Sequence, residues 1–403
     1  MRELIRNMLN IGCIFLCILF NGCKDTLEPA PLRSGDKPQA ITAYKVQPIA
    51  GGAIITYDLP VSQDLRYVKA VYTLGDGSIR ENKSSLYKNT ITVDGFATAG
   101  EYPVELIAVG VGEIESDPTS LNVTTLTPPY LRTLELLGKE NNMMSTFGGI
   151  RLQFENETEA PIVIHILAKD DGGEWKPALD HYTRLPNGVV NVRGYPAEER
   201  TFGVYITDRW NNRSDTLTGT YLPIFEMMMD KSLFKTYNLA TDEYTAHAGF
   251  GTVNALWNGV SDADGGTNIF HTRPGTGMPQ HFTFDMGVKA TLSRFVMHSR
   301  RNHEYRFNHP QRFELWGSNE PTSDGGWDSW TLIGTFSSIK PSGLPLGEQT
   351  ADDLAYARAG EEFDVEMEGQ AFRYWRWKTL ETWGGNSDVS MAELTFYGET
   401  KVD

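Results

Sequence analysis

Residues 100–108 read Gly-Glu-Tyr-Pro-Val-Glu-Leu-Ile-Ala, and this stretch decides the fold class. From Val104 onward, successive side chains alternate between two faces, which is the period-two pattern of a β-strand with one buried side. Turn signals separate such segments about every 8–12 residues, as in a β-sandwich. The 39 Gly and 20 Pro beside 17 Tyr and 19 Phe agree with many turns between aromatic-rich strands. The sequence therefore predicts an all-β protein.

The strand pattern occurs twice along the chain, at an offset of about 97 residues. Residues 51–57 correspond to 148–154, and residues 68–77 correspond to 163–172. Consecutive prolines at Pro128 and Pro129 cannot continue a strand ladder, so they mark a linker between the copies. Seven of the nine Trp and six of the eight His lie beyond residue 240, which indicates a third module that carries the ligand site.

These observations divide the chain into six segments. They are a signal peptide at 1–22, a lipidated tether at 23–40, sandwich domains at 41–127 and 128–225, a linker at 226–240, and a third domain at 241–400.

The N-terminus predicts export and a lipid anchor. Arg2 and Arg6 precede an apolar run at 11–20 that is too short to span a bilayer and matches a signal-peptide core. The run ends in Leu-Phe-Asn-Gly-Cys, which resembles a bacterial lipobox and implies that Cys23 is lipidated. The Lys-Asp pair that follows resembles the export signal of Bacteroidetes-type lipoproteins. We therefore expect a protein anchored in the outer membrane and facing the cell exterior. An ordinary secretory signal, cut elsewhere, is the alternative.

The first copy of the repeat resembles a fibronectin type III domain. Residues 100–106 resemble its penultimate strand, with Tyr102 in the tyrosine-corner position, and residues 116–118 resemble the turn into its last strand. The second copy has Phe202 near the corner position, so we expect a diverged sandwich without the corner hydrogen bond. The resemblance implies two Ig/fibronectin III-like β-sandwiches.

Four segments of the third module occur in the order of a known family, at 282–287, 313–320, 373–377 and 391–398. Together they resemble the discoidin, or coagulation-factor type C, domain, a galactose-binding-like β jelly roll used by many carbohydrate-binding modules. The order of the three modules resembles lipoproteins encoded with polysaccharide-utilisation systems. The resemblance implies a discoidin-like jelly roll and a glycan ligand.

Aromatic, basic and amide side chains in the loops of this module are the candidate glycan contacts. Sugar binding needs an aromatic face for the apolar side of a pyranose ring, and polar groups for its hydroxyls. The candidate residues are Trp383, Arg300, Arg301, His303, Tyr305, Asn386 and Trp327. Two alternatives stay open: the tryptophans fill the end of the barrel, or the Arg/His cluster takes an acidic sugar or sulfate. Trp375 and Trp377 alternate with charged residues along a strand and are predicted to be core.

A loop rich in Asp, Asn and Gly precedes these strands. Its oxygen side chains and tight turns suit a hard cation such as Ca²⁺. In discoidin-type modules a similar loop binds structural calcium, helped by an acidic residue in the last strand. The resemblance implies a site formed by Asn258, Asp262, Asp264, Thr267 and Glu393. A solvated Asp-Gly loop is the alternative.

Charge and motif content exclude several other functions. The 36 Lys+Arg against 52 Asp+Glu give a net charge of −16, and the only basic cluster is the pair Arg300 and Arg301, so we expect no nucleic-acid partner. The sequence contains no nucleophile elbow, zinc-protease motif or P-loop, so we expect no enzyme.

The sequence thus predicts a cell-surface lipoprotein that captures polysaccharide or oligosaccharide through its third module, with the two sandwiches as a spacer. A neighbouring transporter or glycoside hydrolase is a candidate partner. The alternatives are a non-enzymatic protein-interaction or scaffold subunit, and a hydrolase accessory with its own activity.

Overall fold

A computed structural model describes residues 35–243, 245–365 and 370–401. The predicted signal peptide, Cys23 and residues 23–34 of the tether lie outside these ranges. The described residues form strands and loops with two short α-helices, so the all-β prediction is confirmed. No helix in these ranges is long and apolar enough to cross a membrane. The chain divides into two compact units: one holds the described residues up to Thr133 with 156–162 and 206–214, and the other holds the rest.

The first sandwich contains seven strands. They are β1 (Tyr44–Ile49), β2 (Gly52–Tyr57), β3 (Leu65–Thr73), β4 (Ile79–Ser85), β5 (Thr90–Asp94), β6 (Gly100–Gly110) and β7 (Thr119–Thr125). One sheet has the order β1-β2-β5 and the other β4-β3-β6-β7. Val104 and Leu106 of β6 are buried in the core between the sheets, as their alternation predicts. The Tyr102 hydroxyl donates to the Thr98 carbonyl at 3.0 Å, which is a hydrogen bond of the predicted corner type.

The second sandwich repeats this topology after one helix. Its elements are α1 (Pro129–Leu137), β8 (Met143–Thr146), β9 (Gly149–Glu155), β10 (Ile162–Lys169), β11 (Trp175–Thr183), β12 (Asn187–Val192), β13 (Arg200–Asp208) and β14 (Leu217–Tyr221). The sheets β8-β9-β12 and β11-β10-β13-β14 match those of the first sandwich strand for strand, which confirms the internal repeat. Pro129 begins α1, where the sequence predicted only a linker. The fixed φ of proline and its missing N–H suit the first helical position.

The third module is the largest β-structure. Its elements are β15 (Met227–Met228), β16 (Lys235–Thr236), β17 (Phe270–His271), β18 (Gln280–His298), β19 (Pro310–Ser318), β20 (Thr331–Ser337), α2 (Ala351–Ala359), β21 (Glu361–Asp364), β22 (Phe372–Thr382), β23 (Ser390–Met391) and β24 (Glu393–Lys401). An eight-stranded sheet has the order β15-β24-β18-β22-β19-β20, with β16 and β21 also paired to β18, and β17 pairs with β23.

The core of this module contains the two predicted tryptophans. Trp375 and Trp377 are fully buried on β22, so the core prediction for them is confirmed. Arg376 between them is fully buried too, on the opposite face of the sheet. Strand β18 continues without a break from Gln280 to His298. Its pairing with β22 shifts register between Asp285 and Ala290, and this irregularity is why the sequence pattern breaks there.

Residues 226–240, which the sequence predicted as a linker, contribute to the sheet of the third module. Strand β15 pairs with β24, and β16 pairs with β18. Glu226 lies directly before β15, and its side chain is 9% exposed. One carboxylate oxygen is 3.2 Å from Nη1 of Arg193 in the second sandwich, and the other is 3.0 Å from Nη2 of Arg294 on β18. A buried carboxylate shared by two guanidiniums fixes both sides of the junction in register. Strands of two residues have no periodicity, so the sequence pattern could not reveal them.

Candidate functional site

A groove lies at one end of the third module, where β19 begins and where β20 and β22 end. Because β19 runs antiparallel to both neighbours, its start and their ends meet at one edge of the sheet. The groove has a volume of about 530 Å³, which is in the usual range of small-molecule sites. The strands contribute Gln311, Arg312, Ser337 and Glu381, the residue after β22 contributes Trp383, and a loop contributes 338–340 and 343–346. We call it the Trp383 groove.

Trp383 is held in this groove by three contacts. Its indole Nε1–H donates to Ser338 Oγ at 3.0 Å. Its backbone N–H donates to the His309 carbonyl at 2.9 Å. Its ring meets the buried Tyr305 ring edge to face, with 5.3 Å between centroids. The indole is half-buried. A fixed aromatic surface of this kind can pack on a ligand without a large loss of side-chain entropy.

The residues after Trp383 must be glycine for the loop to close. A Cβ on Gly384 would lie 2.7 Å from the Cα of Phe307, and the Gly384 N–H donates to the Phe307 carbonyl at 2.7 Å. Gly385 has φ +68°, a conformation that side chains rarely adopt. The two glycines therefore allow the loop of Trp383 to lie against the loop that precedes β19.

An ion pair supplies the polar part of the groove. Arg312 of β19 and Glu381 of β22 are direct cross-strand partners, and Arg312 Nη2 donates to Glu381 Oε1. This hydrogen bond raises the pKa of Arg312. Both side chains are about half exposed. Their remaining N–H donors and carboxylate lone pairs can take ligand hydroxyls.

Lys340 is a buried cation that organises the loop of the groove. Its ammonium donates to the carbonyls of Leu344 and Pro345 at 2.8 Å, and to that of Glu348 at 2.6 Å. Lys340 also lies 5.7 Å from the centre of the Trp383 ring. Three carbonyls satisfy all three ammonium donors. The loop is therefore folded around this side chain.

The predicted basic residues form a separate cluster before β19. Arg300 Nε donates to the Asp264 carbonyl at 2.6 Å, and Arg301 lies 3.5 Å from the Asp262 carboxylate. His303 Nδ1 is 2.9 Å from the side-chain oxygen of Asn308. None of these residues lines the Trp383 groove. The two arginines already have acceptors, which weakens the case for an acidic sugar or sulfate.

The other predicted aromatic and amide residues are divided between the groove and its surroundings. Tyr305 is buried against Trp383, so it supports the indole. Asn386 is half-buried, and its backbone carbonyl accepts a hydrogen bond from the Thr382 hydroxyl at 3.1 Å. Trp327 does not line the groove. It packs on Trp316 at 4.9 Å and on the Arg376 guanidinium at 4.5 Å. Of the seven predicted residues, Trp383 lines the groove and Tyr305 contacts it.

His281 lies beside Trp327, and its pKa is strongly shifted from the usual value of a histidine. Burial, and then the charges of Arg376 and Lys378, lower the pKa of His281 from 6.5 to about 4. Below about pH 6.5 the unfolded chain takes up this proton, whereas the folded chain resists it until about pH 4. We therefore expect the free energy of unfolding to fall as the pH falls through this window, by about 3 kcal/mol for this group.

The variant His281→Gln isolates this contribution, because glutamine does not titrate. Urea unfolding at pH 7, 5.5 and 4 should show a smaller loss of stability for the variant than for the parent. Histidines whose pKa is lowered by burial elsewhere, such as His271 and His298, remain in both proteins. Equal losses in the two proteins would contradict the assignment.

Three family models match consecutive parts of the chain, and each is described as a domain of unknown function. They are DUF4959 at residues 38–125, DUF5126 at 126–232 and DUF5000 at 257–398. No curated protein matches the chain. A solved structure titled SusE-like protein is 34% identical, over 68% of this chain and 100% of its own, with a TM-score of 0.44. The chain belongs to the SusE-like family.

Other solved structures match about two fifths of the protein described here. One is a CBM32 module from a family 31 glycoside hydrolase of Clostridium perfringens, 19% identical over 43% of this chain and 95% of its own, with a TM-score of 0.32. Another is a CBM32 module of the same organism in complex with GalNAc-β-1,3-galactose. It is 17% identical over 42% of this chain and 99% of its own, with a TM-score of 0.30.

The residues predicted to bind calcium do not form a set of ligands in this SusE-like chain. Glu393 is 2% exposed, and its carboxylate contacts the Lys231 ammonium and accepts from the Gly259 N–H at 3.2 Å. Asp262 and Asp264 face Arg301 and Arg300. Asn258 Oδ1 accepts from the Val260 N–H at 2.8 Å. Across the described ranges, no group of three or more His, Cys, Asp or Glu side chains can hold a metal ion.

The residues therefore do not fit the calcium site that the discoidin resemblance implies. Thr267 lies in a short 3-10 turn at Gly266–Asn268. The Glu393 carboxylate, which would bind the ion, forms an ion pair with Lys231 instead. The Lys231 ammonium therefore already supplies a positive charge at this position. Calcium binding by this chain stays a prediction.

Three groove residues were missing from the predicted site. Arg312 and Glu381 are 69 residues apart, and only the strand pairing brings them together. Alternation places each on a strand, but it does not give the register between strands. Lys340 lies in a loop that follows a strand, and no local signal in the sequence separates a buried lysine from a solvated one.

Proposed function

We propose that the protein captures polysaccharide or oligosaccharide at the cell surface, without catalysis, through the Trp383 groove. The observation that carries the proposal is the half-buried indole of Trp383, fixed beside the Arg312–Glu381 pair. An indole can pack on the C–H face of a pyranose ring, while the ion pair offers donors and acceptors to its hydroxyls. Membership of the SusE-like family agrees with the polysaccharide-utilisation systems that the module order resembles.

The remaining parts of the proposal concern the setting of the groove. A lipid on Cys23 would anchor the chain in the outer membrane, and the two sandwiches would hold the third module away from it. One stacked ring and a few hydrogen bonds correspond to millimolar-to-micromolar affinity, or about 4–8 kcal/mol. Tethering beside a transporter or glycoside hydrolase would raise the local concentration of its substrate.

The variant Trp383→Ala tests the capture role. We expect it to raise the dissociation constant for a retained polysaccharide at least about tenfold, because the stacking surface is lost. Retention in affinity electrophoresis over a panel of polysaccharides identifies the ligand, and calorimetry then measures the affinity. The matched control is Tyr87→Ala, which removes an aromatic side chain that is 89% exposed in the first sandwich.

Two checks keep this experiment decisive. Circular dichroism shows whether Trp383→Ala still folds, since its ring packs on Tyr305. Glu381→Gln leaves the indole in place and should weaken binding through the loss of a charged acceptor. Unchanged affinity in both groove variants would rule out the Trp383 groove as the glycan site.

A protein-interaction or scaffold role is the second candidate. It is favoured by exposed apolar side chains at the junction before the third module, where Leu222, Phe225 and Met228 are each about half exposed. Strand β15, which contains Met228, is an edge strand of the large sheet. Exposed apolar patches of this kind are frequent at protein interfaces. If no polysaccharide is retained by the folded protein, this candidate becomes the leading one.

A further inference from the structure

The Trp383 groove has an apolar part that the indole and the ion pair do not explain. Ile339, Leu344, Pro345 and Leu346 line it, and we call them the apolar wall. Ile339 is 71% exposed and Leu346 is 56% exposed. Polar loops normally carry polar side chains at such positions. Exposed aliphatic side chains that line one concave site indicate a ligand with an apolar group to cover them.

Two buried charged side chains fix the backbone of the loop that carries the apolar wall. The Lys340 ammonium, 2% exposed, binds the backbone carbonyls of Leu344 and Pro345. Asp353, at the start of α2, accepts from the backbone N–H of Ser342 at 2.8 Å and from its hydroxyl at 2.7 Å. A loop pinned on both sides keeps its side chains at fixed positions, as a specific site requires.

The two cations of the groove already have hydrogen-bond partners within it. Arg312 is paired with Glu381, and Lys340 has three carbonyls on its three donors. Cations that already have partners suit a neutral ligand better than an anion, which would need an unpaired cation. The occupant must therefore be neutral, with hydroxyls for the ion pair and an apolar substituent for the wall.

We infer that the Trp383 groove selects saccharides that carry a methyl group, as in a 6-deoxyhexose. The inference rests on the glycan capture proposed above and names its ligand class. A methyl group covers the apolar wall. A hydroxymethyl group at the same place loses solvent without gaining a hydrogen-bond partner there. One carbon substituent in an apolar pocket changes affinity by about tenfold or more.

Matched pairs of free monosaccharides test the selection directly. L-fucose is compared with L-galactose, and L-rhamnose with L-mannose, because each pair differs only in CH₃ against CH₂OH. Calorimetry on the purified protein should give an affinity about tenfold higher for the 6-deoxy member of at least one pair. A third pair, N-acetylgalactosamine against galactose, asks whether an acetyl methyl serves the wall instead. A preference confined to this third pair would overturn the 6-deoxyhexose assignment.

The variant Leu346→Asn removes apolar surface from the wall while keeping a similar side-chain size. We expect it to bring the two members of the preferred pair to within about twofold, with binding retained. The control Ile79→Asn, at an exposed aliphatic position of the first sandwich, should leave the preference unchanged. Because Leu346 is largely exposed, the substitution spares the fold.

The outcomes separate this inference from the proposed function. Saccharide binding that depends on Trp383 but shows no preference within any pair overturns the methyl selection and leaves glycan capture standing. A preference that survives Leu346→Asn also overturns the role of the wall. If no saccharide binds the folded protein, glycan capture itself fails, and the methyl selection fails with it.

Discussion

Replacing Lys231 by methionine is expected to lower the free energy of unfolding of the third module by about 3–5 kcal/mol. The Lys231 ammonium contacts the Glu393 carboxylate and donates to the Thr395 hydroxyl at 2.7 Å. Glu393 is buried, so its charge has no solvent to replace the lysine. Methionine preserves the length and packing of the side chain, and the expected loss therefore comes from the uncompensated carboxylate. Denaturant unfolding measures it through tryptophan fluorescence, because seven of the nine Trp lie in this module.

Two comparisons identify the ion pair as the cause. Lys235→Met, at an exposed lysine in the neighbouring strand β16, should change stability by less than about 0.5 kcal/mol. The double variant Lys231→Met with Glu393→Gln removes both charges and should recover most of the loss. A Lys231→Met protein within about 1 kcal/mol of the parent would show that the pair is not a main support of the fold.

The pH dependence of this variant follows from the buried carboxylate. Burial raises the pKa of Glu393, and Lys231 opposes that rise. Without the lysine, the folded-state pKa rises further above the value in the unfolded chain. A raised carboxylate pKa contributes stability that is lost as the pH rises through it. The deficit of Lys231→Met should therefore be larger at pH 8 than at pH 5.

The same variant addresses calcium. In the parent, the lysine already contacts the carboxylate that the predicted ion would use, so neither calcium nor EDTA should shift the unfolding midpoint. Lys231→Met frees that carboxylate. Stabilisation by calcium in the variant alone would indicate that ion and lysine compete for one place, whereas stabilisation of the parent would support the original calcium prediction.

The sequence predicted the elements of the fold better than their long-range contacts. Strands such as β6 and β22 follow from side-chain alternation, which is a local property. The Lys231–Glu393 pair joins residues 162 positions apart. The sequence around Lys231 contains no pattern that indicates a buried partner. Strands β15 and β16 were predicted as linker because two residues cannot display a period. Their positions in the sheet depend on the unpaired strand edges of β24 and β18, with which they form hydrogen bonds.

The candidate site was predicted in part for the same reason. Trp383 could be identified because two glycines after it indicate a loop in which a large aromatic residue has little core to fill. Trp327 also lies among glycines, but its neighbours are strand residues, among them Trp316 and Arg376, that only the register of the sheet brings to it. Composition can therefore select loop aromatics, but it cannot tell which of them share a groove.

Replacing Arg376 by methionine is the second substitution with a large expected effect, again about 3–5 kcal/mol. The guanidinium is fully buried and lies between the rings of Trp327 and Trp330, at 4.5 and 4.4 Å from their centres. Its Nε donates to Thr283 Oγ1 at 3.0 Å, and Nη2 lies 3.7 Å from the Asp242 carboxylate. Methionine loses both stacked faces and leaves Asp242 buried without its guanidinium.

Arg376→Lys separates charge from shape in this cluster. Lysine keeps a positive charge near Asp242 but lacks the planar group that fits between two rings, so we expect a loss between those of the parent and Arg376→Met. Lys401→Met is the matched control in the same sheet, because its solvent-exposed pair with Glu399 should contribute at most about 1 kcal/mol. If Arg376→Lys were as stable as the parent, charge alone would account for the cluster. If Arg376→Met were as stable as Lys401→Met, the buried guanidinium would contribute no more to stability than a surface ion pair does.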